Sequence, residues 1–200
     1  MPGLRDNGRM ESEGADERVT PPMVATTVDE ARRAWAFIDQ TWRSTLERAA
    51  QLPEATLHER VDDEWSFVET QRHLLFATDV WLRRDALGDP GGWHRLGMPP
   101  DLRTGQPDPD GAVERWGIDV FATPSYSEVL AVRGEYLELV GDLIDRLTLG
   151  ELRRPTSCNP PWIAATVQVP MSRCFGVVIR EEWEHHRFAV RDLSVLERLP

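Results

Sequence analysis

The sequence of residues 173–197 is RCFGVVIREEWEHHRFAVRDLSVLE. Its apolar residues recur at alternating steps of three and four, the spacing of one face of an α-helix. Ser172 precedes this run as a plausible N-cap. The segment therefore predicts a long amphipathic helix. Two ionisable residues occupy places on its apolar face, as the sequence of that face shows: Phe175, Ile179, Glu182, His186, Ala189, Leu193 and Leu196.

Three further segments have the same helical period, and they span about residues 27–50, 66–87 and 125–148. The second and third begin with the capping boxes Ser66-x-x-Glu69 and Ser125-x-x-Glu128, which satisfy free amides at a helix start. Four such helices predict an all-α fold, namely a four-helix bundle.

The connection over residues 88–124 is long and rich in proline and glycine. A connection of this length in a compact domain is usually functional or a crossover, so we expect a long crossover between helices 2 and 3. No hairpin is predicted, although residues 164–169 favour a strand. Residues 1–25 have no apolar period and predict a disordered N-terminal tail, which leaves residues 26–200 as one domain.

The charge balance limits the partners of the protein. There are 34 acidic and 23 basic residues, with a net charge of −11, which disfavours binding to nucleic acid or to an anionic membrane. No apolar run is long enough to span a membrane. Cys158 and Cys174 are too few for a disulfide scaffold, which favours the cytoplasm. We expect a small-molecule substrate, and the sequence leaves open whether the protein forms a homodimer.

Glu182 and His186 lie one turn apart on the predicted core face, and a buried carboxylate must be satisfied there. Three explanations are open. The pair could bind a metal ion together with His73, which flanks the apolar stripe of the second helix. Glu182 could instead pair with an arginine such as Arg133. The helix could also be rotated, so that both residues meet water.

Other reactive residues give weaker signals. Glu181 and His185 form a second pair about 100° round the helix, which we interpret as a solvated ion pair. His94 and Cys158 lie in loops, where a structural role is the simpler explanation. No motif of a nucleophilic hydrolase, of an NTPase P-loop or of a dinucleotide-binding turn occurs.

Two motifs carry a resemblance to a known family. The segment from Trp65 to Leu74, with Ser66, Glu69 and His73, resembles the second helix of DinB-like (DinB/YfiT-type) proteins, and residues 182–187 resemble their closing helix. The resemblance covers about residues 27–197. It implies a four-helix bundle with a divalent metal, zinc or nickel-like, whose ligands here would be His73, Glu182 and His186. Position 182 is usually histidine in the family, which leaves open a two-histidine, one-carboxylate site or a weakened one.

The resemblance also implies an activity, because characterised members are transferases or maleylpyruvate isomerase-like enzymes that use mycothiol or bacillithiol. In this hypothesis, the protein is a metal-dependent thiol S-transferase that acts on a small electrophile. The alternative is a non-catalytic bundle that binds a small molecule or self-associates and has a degenerate metal site. Bound metal with thiol-dependent turnover distinguishes the two.

Overall fold

A computed structural model describes most of the chain, namely residues 25–89, 91, 93–100, 102, 111–160 and 165–198. The predicted N-terminal tail therefore lies almost wholly outside the described residues. Its last residue, Ala25, is described and is buried in the hydrophobic core.

The described chain is mostly helical, which confirms the all-α class. Four long helices lie close to the predicted segments: α1 (Val28–Ala49), α3 (Phe67–Thr78), α5 (Tyr126–Arg146) and α7 (Met171–Leu196). Three short helices lie between them: α2 (Glu54–Leu57), α4 (Ala112–Arg115) and α6 (Leu149–Arg153).

Local capping chemistry sets the helix starts. Ser66 and Ser125 form the predicted capping boxes of α3 and α5, and Thr27 forms another at α1. The predicted N-cap Ser172 is wrong, because α7 begins at Met171 after Pro170. Proline suits that place, since it has no N–H to leave without a partner.

The second predicted helix is divided into an α-helical and a π-helical part. After α3 the chain continues as a π-helix over Asp79–Ala86. The buried Asp79 carboxylate accepts hydrogen bonds from the Tyr136 hydroxyl at 2.8 Å and from the His94 backbone N–H at 2.9 Å. These bonds connect the start of the π-helix to α5 and to the long connection that follows.

A small hairpin corrects the expectation that no strands pair. Strand β1 (Pro155–Cys158) pairs antiparallel with β2 (Val167–Pro170), and Pro155 lies opposite Pro170. The strands are short, and β2 overlaps the β-prone run of the sequence at residues 167–169. The hairpin lies directly before α7.

The long helices pack so that two of them share the same neighbours. Helix α1 contacts α5 and α7, and α3 contacts the same two helices. The core between them includes Trp42, Ile38, Leu74 and Phe175, all buried. Helix α7 therefore has one side against α1 and an adjacent side against α3. Among the helices of the described chain, none combines the length and the apolar character that crossing a membrane requires.

Candidate metal centre

Consecutive residues of α7 face different helices, because each step along an α-helix turns by about 100°. Glu181 and His185 face α3, where His73 lies. Glu182 and His186 face α5 and α1, where they contact Arg133 and Thr45. The orientation of α7 therefore decides which pair can join His73.

His73, Glu181 and His185 form a compact cluster. Each offers one ligand atom, and these atoms all lie within 4.8 Å of one another. The Oε2 atom of Glu181 lies 3.5 Å from Nε2 of His73 and 3.4 Å from Nε2 of His185. His73 is buried, whereas the other two are partly exposed. Two imidazoles and a carboxylate form a donor set that suits zinc and other divalent transition metals.

A hydrogen bond fixes the ring of His73 in the orientation that a ligand needs. Nδ1 of His73 lies 2.9 Å from the carbonyl oxygen of Met98, which can only accept, so Nδ1 carries the proton. The backbone N–H of Met98 donates in turn to the carbonyl of Arg72 at 3.1 Å. Nε2 of His73 is therefore left with its lone pair directed to Glu181, as in histidines that bind metals.

The protonation states of the cluster favour a cation. Burial lowers the pKa of His73 below its usual range, despite the opposing effect of Glu181. Burial raises the pKa of Glu181, but the neighbouring His185 and His73 rings outweigh it and lower the pKa to about 2. A neutral His73 imidazole beside an ionised Glu181 carboxylate provides lone pairs and negative charge without loss of a proton.

The cluster lies in the wall of a cavity of about 580 Å³. Its apolar walls include Trp65, Pro100 and Phe188. The Trp65 ring lies 4.5 Å from the His73 ring between centroids and stacks on His185 at 5.7 Å. Its Nε1 donates to the carbonyl of Leu102 at 2.7 Å, which holds the indole in place. The volume suits a small organic ligand beside the cluster.

The structure does not bring Glu182 to His73, which corrects the predicted ligand set. Arg133 Nη1 and Nη2 donate to Glu182 Oε1 and Oε2 at 3.0 and 2.9 Å, and both side chains are 2% exposed. Arg133 also donates from Nε to Gln71 at 3.2 Å. Both carboxylate oxygens of Glu182 are thus engaged, so the arrangement is the arginine pairing that the sequence left open.

His186 also lies outside the cluster. Its Nε2 lies 2.8 Å from the Thr45 hydroxyl oxygen, and its ring stacks on Trp183 and meets the edge of Trp42. Burial lowers its pKa, so the neutral ring is favoured there. The predicted ligands Glu182 and His186 are instead polar parts of the packing between α7, α1 and α5.

Sequence reasoning missed Glu181 and His185, which it interpreted as a solvated ion pair. The signal that could have found them is the position of His73 beside, and not on, its apolar stripe. A residue at the edge of the apolar stripe of α3 contacts residues at the edge of the apolar stripe of α7. Cys158, by contrast, is a buried residue of β1, where burial raises the pKa of its thiol to about 11.

These features define a mostly helical protein with a cluster of two histidines and one glutamate between two long helices. The family model of the DinB superfamily matches residues 38–189, so the chain belongs to the DinB superfamily. The comparison with curated proteins gives no significant match. A crystal structure of a protein from Streptococcus pneumoniae is similar in fold, with a TM-score of 0.55 and 20% identity over 87% of this chain and 94% of that chain.

Proposed function

We propose that the protein binds a divalent metal ion through His73, Glu181 and His185 and uses it to transfer a low-molecular-weight thiol to a small electrophile. The observation that carries this proposal is the convergence of the three ligand atoms within 4.8 Å at the wall of a cavity. Zinc or a nickel-like ion fits the donor set. Mycothiol and bacillithiol are the candidate thiols that the family resemblance implies.

The surrounding fold supports the proposal. The contacts of α1 and α3 with both α5 and α7 support a four-helix bundle with a long crossover. In such bundles metal sites are built from side chains on facing helices. Here the three candidate ligands come from the facing helices α3 and α7. Both described cysteines are free and buried, so the thiol would come from a separate molecule. The cytoplasmic location stays a prediction.

The residues of the chain have definite parts in this mechanism. A bound divalent ion would supply acidity, because a thiol that coordinates a metal loses its proton. His73 is held by the Met98 carbonyl, and Trp65 packs over the two imidazoles and excludes water from one side. The thiolate sulfur would form a bond to the electrophilic carbon, while the leaving group departs with the electrons of its broken bond.

Metal binding is the first test. We expect protein purified without a histidine tag to bind zinc at one ion per chain in calorimetry. His73→Ala, Glu181→Ala and His185→Ala should each weaken binding by at least about a hundredfold, since each removes a ligand. Glu181→His should keep the site, because imidazole replaces a carboxylate as donor.

The matched controls are His58→Ala and Glu184→Gln, which remove the same residue types from exposed positions. His186→Ala should also leave the stoichiometry unchanged, because His186 lies against Thr45. Loss of metal in His186→Ala together with retention in His185→Ala would contradict the ligand assignment.

Thiol transfer is the second test. The zinc-loaded protein should accelerate the reaction of a small thiol with an alkylating electrophile, and the variants that lose metal should not. Metal binding without such turnover would instead favour the alternative hypothesis of a non-catalytic bundle that binds a small molecule or self-associates.

A further inference from the structure

The cavity extends from the metal cluster, formed by His73, Glu181 and His185, to a second polar end that is formed by Thr70 and Asp192. The two helices run antiparallel there, because Glu64, just before α3, meets Arg191 near the end of α7. Thr70 lies one turn before His73, and Asp192 lies two turns after His185. Both line the same cavity as the cluster. Seven residues of helix span about 10 Å, so the second end lies about that far from the ligands.

The charges that line the cavity have one sign. Glu64, Glu181 and Asp192 contribute carboxylates, whereas the described lining residues include no lysine or arginine. A divalent ion at the cluster would offset only part of this charge. Anionic ligands are therefore disfavoured at the second end, and cationic ones are favoured.

Asp192 is the most enclosed of the carboxylates at this end. Asp192 is 5% exposed, and its Oδ1 accepts a hydrogen bond from Nε of Arg191 at 2.7 Å. Arg191 also donates to Glu64 at 2.5 Å, so one guanidinium is shared between two carboxylates. A negative charge remains after this pairing. Burial raises the pKa of Asp192, and the hydrogen bond and charge of Arg191 oppose this rise.

Two further features point to a ligand. Thr70 is 4% exposed and lines the cavity, and its hydroxyl has no hydrogen-bond partner among the described residues. Its oxygen is not one of the fully enclosed atoms that lack a partner, so it is accessible to a ligand from the cavity. Trp65 and Phe188, which is 42% exposed, also line the cavity, and the Arg191 guanidinium lies 5.4 Å from the centroid of the Phe188 ring. Aromatic faces attract ammonium groups.

We infer that the Asp192 end of the cavity binds the ammonium group of an organic cation, whose other end reaches the metal cluster. Asp192 supplies the counter-charge, Thr70 accepts a hydrogen bond, and Trp65 and Phe188 enclose the alkyl chain. This inference rests on the proposed function, since it places one substrate of that function in the same cavity. It assigns a class of substrate with an amine about 10 Å from the reacting atom.

Three thiols of equal length test the inference: aminohexanethiol, mercaptohexanol and mercaptohexanoic acid. Each is titrated into the cobalt-loaded protein, and the thiolate-to-cobalt absorption band measures its dissociation constant. We expect the amine to bind about tenfold more tightly than the alcohol, because a hydrogen bond between two charged groups contributes about that much, and the acid to bind most weakly. Raised salt should reduce the advantage of the amine.

The Asp192→Asn variant should remove most of the advantage of the amine and leave the affinity for the alcohol unchanged. Glu64→Gln, at a half-exposed position with little effect on folding, should remove a smaller part of it. Glu184→Gln is the matched control, since it removes a carboxylate from an exposed position of the same helix. Equal affinities of the three thiols, or an advantage that persists in Asp192→Asn, would overturn the inference.

A thiol-free measurement separates this inference from the proposed function. Hexylamine, hexanol and hexanoate are compared by calorimetry on the zinc-loaded protein. Preferential binding of hexylamine that depends on Asp192, without a thiolate band for any thiol, supports the cation subsite and contradicts thiol transfer. A thiolate band for every thiol, with no preference for either amine, supports thiol transfer and contradicts the subsite.

Discussion

Glu182 and Arg133 show how a buried ion pair can resemble a metal site in a sequence. Two charges removed from water need close mutual geometry, and the two-pronged pairing at 3.0 and 2.9 Å provides it. Gln71 accepts a further hydrogen bond from Arg133. The pair satisfies its own charges, but it does not by itself imply a gain in stability over apolar residues of similar size.

Glu182→Gln should therefore destabilise the protein by about 3 kcal/mol, because Arg133 is left as an uncompensated buried charge. The free energy of unfolding from urea titration measures this. The double variant Glu182→Leu with Arg133→Met should recover most of the loss. Glu184→Gln, which is exposed, should change the free energy by less than about 0.5 kcal/mol. A loss below about 1 kcal/mol for Glu182→Gln would contradict the pairing.

His186 gives the folded state a dependence on pH. Burial lowers its pKa from the ordinary value of 6.5, so the unfolded chain takes up a proton at a higher pH than the folded one. The stabilisation is then fully present above pH 6.5 and is lost as the pH falls toward the lower pKa of the folded state. His73 contributes in the same direction, since burial also lowers its pKa.

We expect the free energy of unfolding of metal-free protein to decrease below pH 6.5, by up to about 1.4 kcal/mol per pH unit for each such imidazole. His186→Gln should reduce this slope, as measured by urea titrations at a series of pH values with a chelator present. His58→Gln, at an exposed position, is the control and should leave the slope unchanged. The same slope in wild type and His186→Gln would show that the ring is not buried in its neutral form.

At the scale of elements, the start of α3 depends on its capping box. The Ser66 hydroxyl oxygen accepts from the Glu69 backbone N–H at 3.2 Å, and Glu69 accepts from the Ser66 N–H at 2.9 Å. Ser66→Ala should lower the free energy of unfolding by about 1 kcal/mol. Zinc affinity should stay within about twofold, because His73 lies almost two turns further along the helix. Ser44→Ala, which removes an exposed hydroxyl from the interior of α1 and no cap, is the control, and an equal loss there would contradict the capping role.

Helix positions follow from the sequence because their causes are local. The period of apolar residues and the capping boxes place α1 and α5 within two residues of the predicted bounds. The hairpin was missed because its strands are short and begin or end in proline, and pairing connects residues that are distant in sequence. The π-helix over Asp79–Ala86 has no distinct apolar pattern, since it continues the same buried face.

The site was predicted only in part, for a geometric reason. The structure places His73 beside a carboxylate and an imidazole of the closing helix, but these belong to Glu181 and His185. The apolar stripe of α7, however, gives only the mean direction of its buried side, and that side is shared between α1 and α3. The residues of α7 that face α3 each lie one position before Glu182 and His186, a rotation of about 100° around the helix axis. Only the packing of α7 against both helices distinguishes Glu181 and His185 from Glu182 and His186.

At the scale of the whole molecule, the net charge of −11 determines which large partners are accessible. Binding to a DNA backbone gains its free energy from counterion release, which requires clustered lysine and arginine. Here many of the described arginines are instead paired with carboxylates of the protein, as Arg48 is with Glu197 and Arg191 with Glu64. The acidic cavity beside the cluster of His73, Glu181 and His185 adds further repulsion for a phosphate.

We therefore expect no measurable binding to nonspecific duplex DNA at physiological salt. Fluorescence polarisation of a labelled duplex measures this, up to protein concentrations of tens of micromolar, the range in which nonspecific DNA-binding proteins associate. The metal-loaded protein should behave in the same way, because a divalent ion would offset only part of the charge of Glu64, Glu181 and Asp192, which line the cavity. A micromolar complex that weakens steeply with salt would contradict this prediction, since such a slope counts released counterions and requires a basic surface.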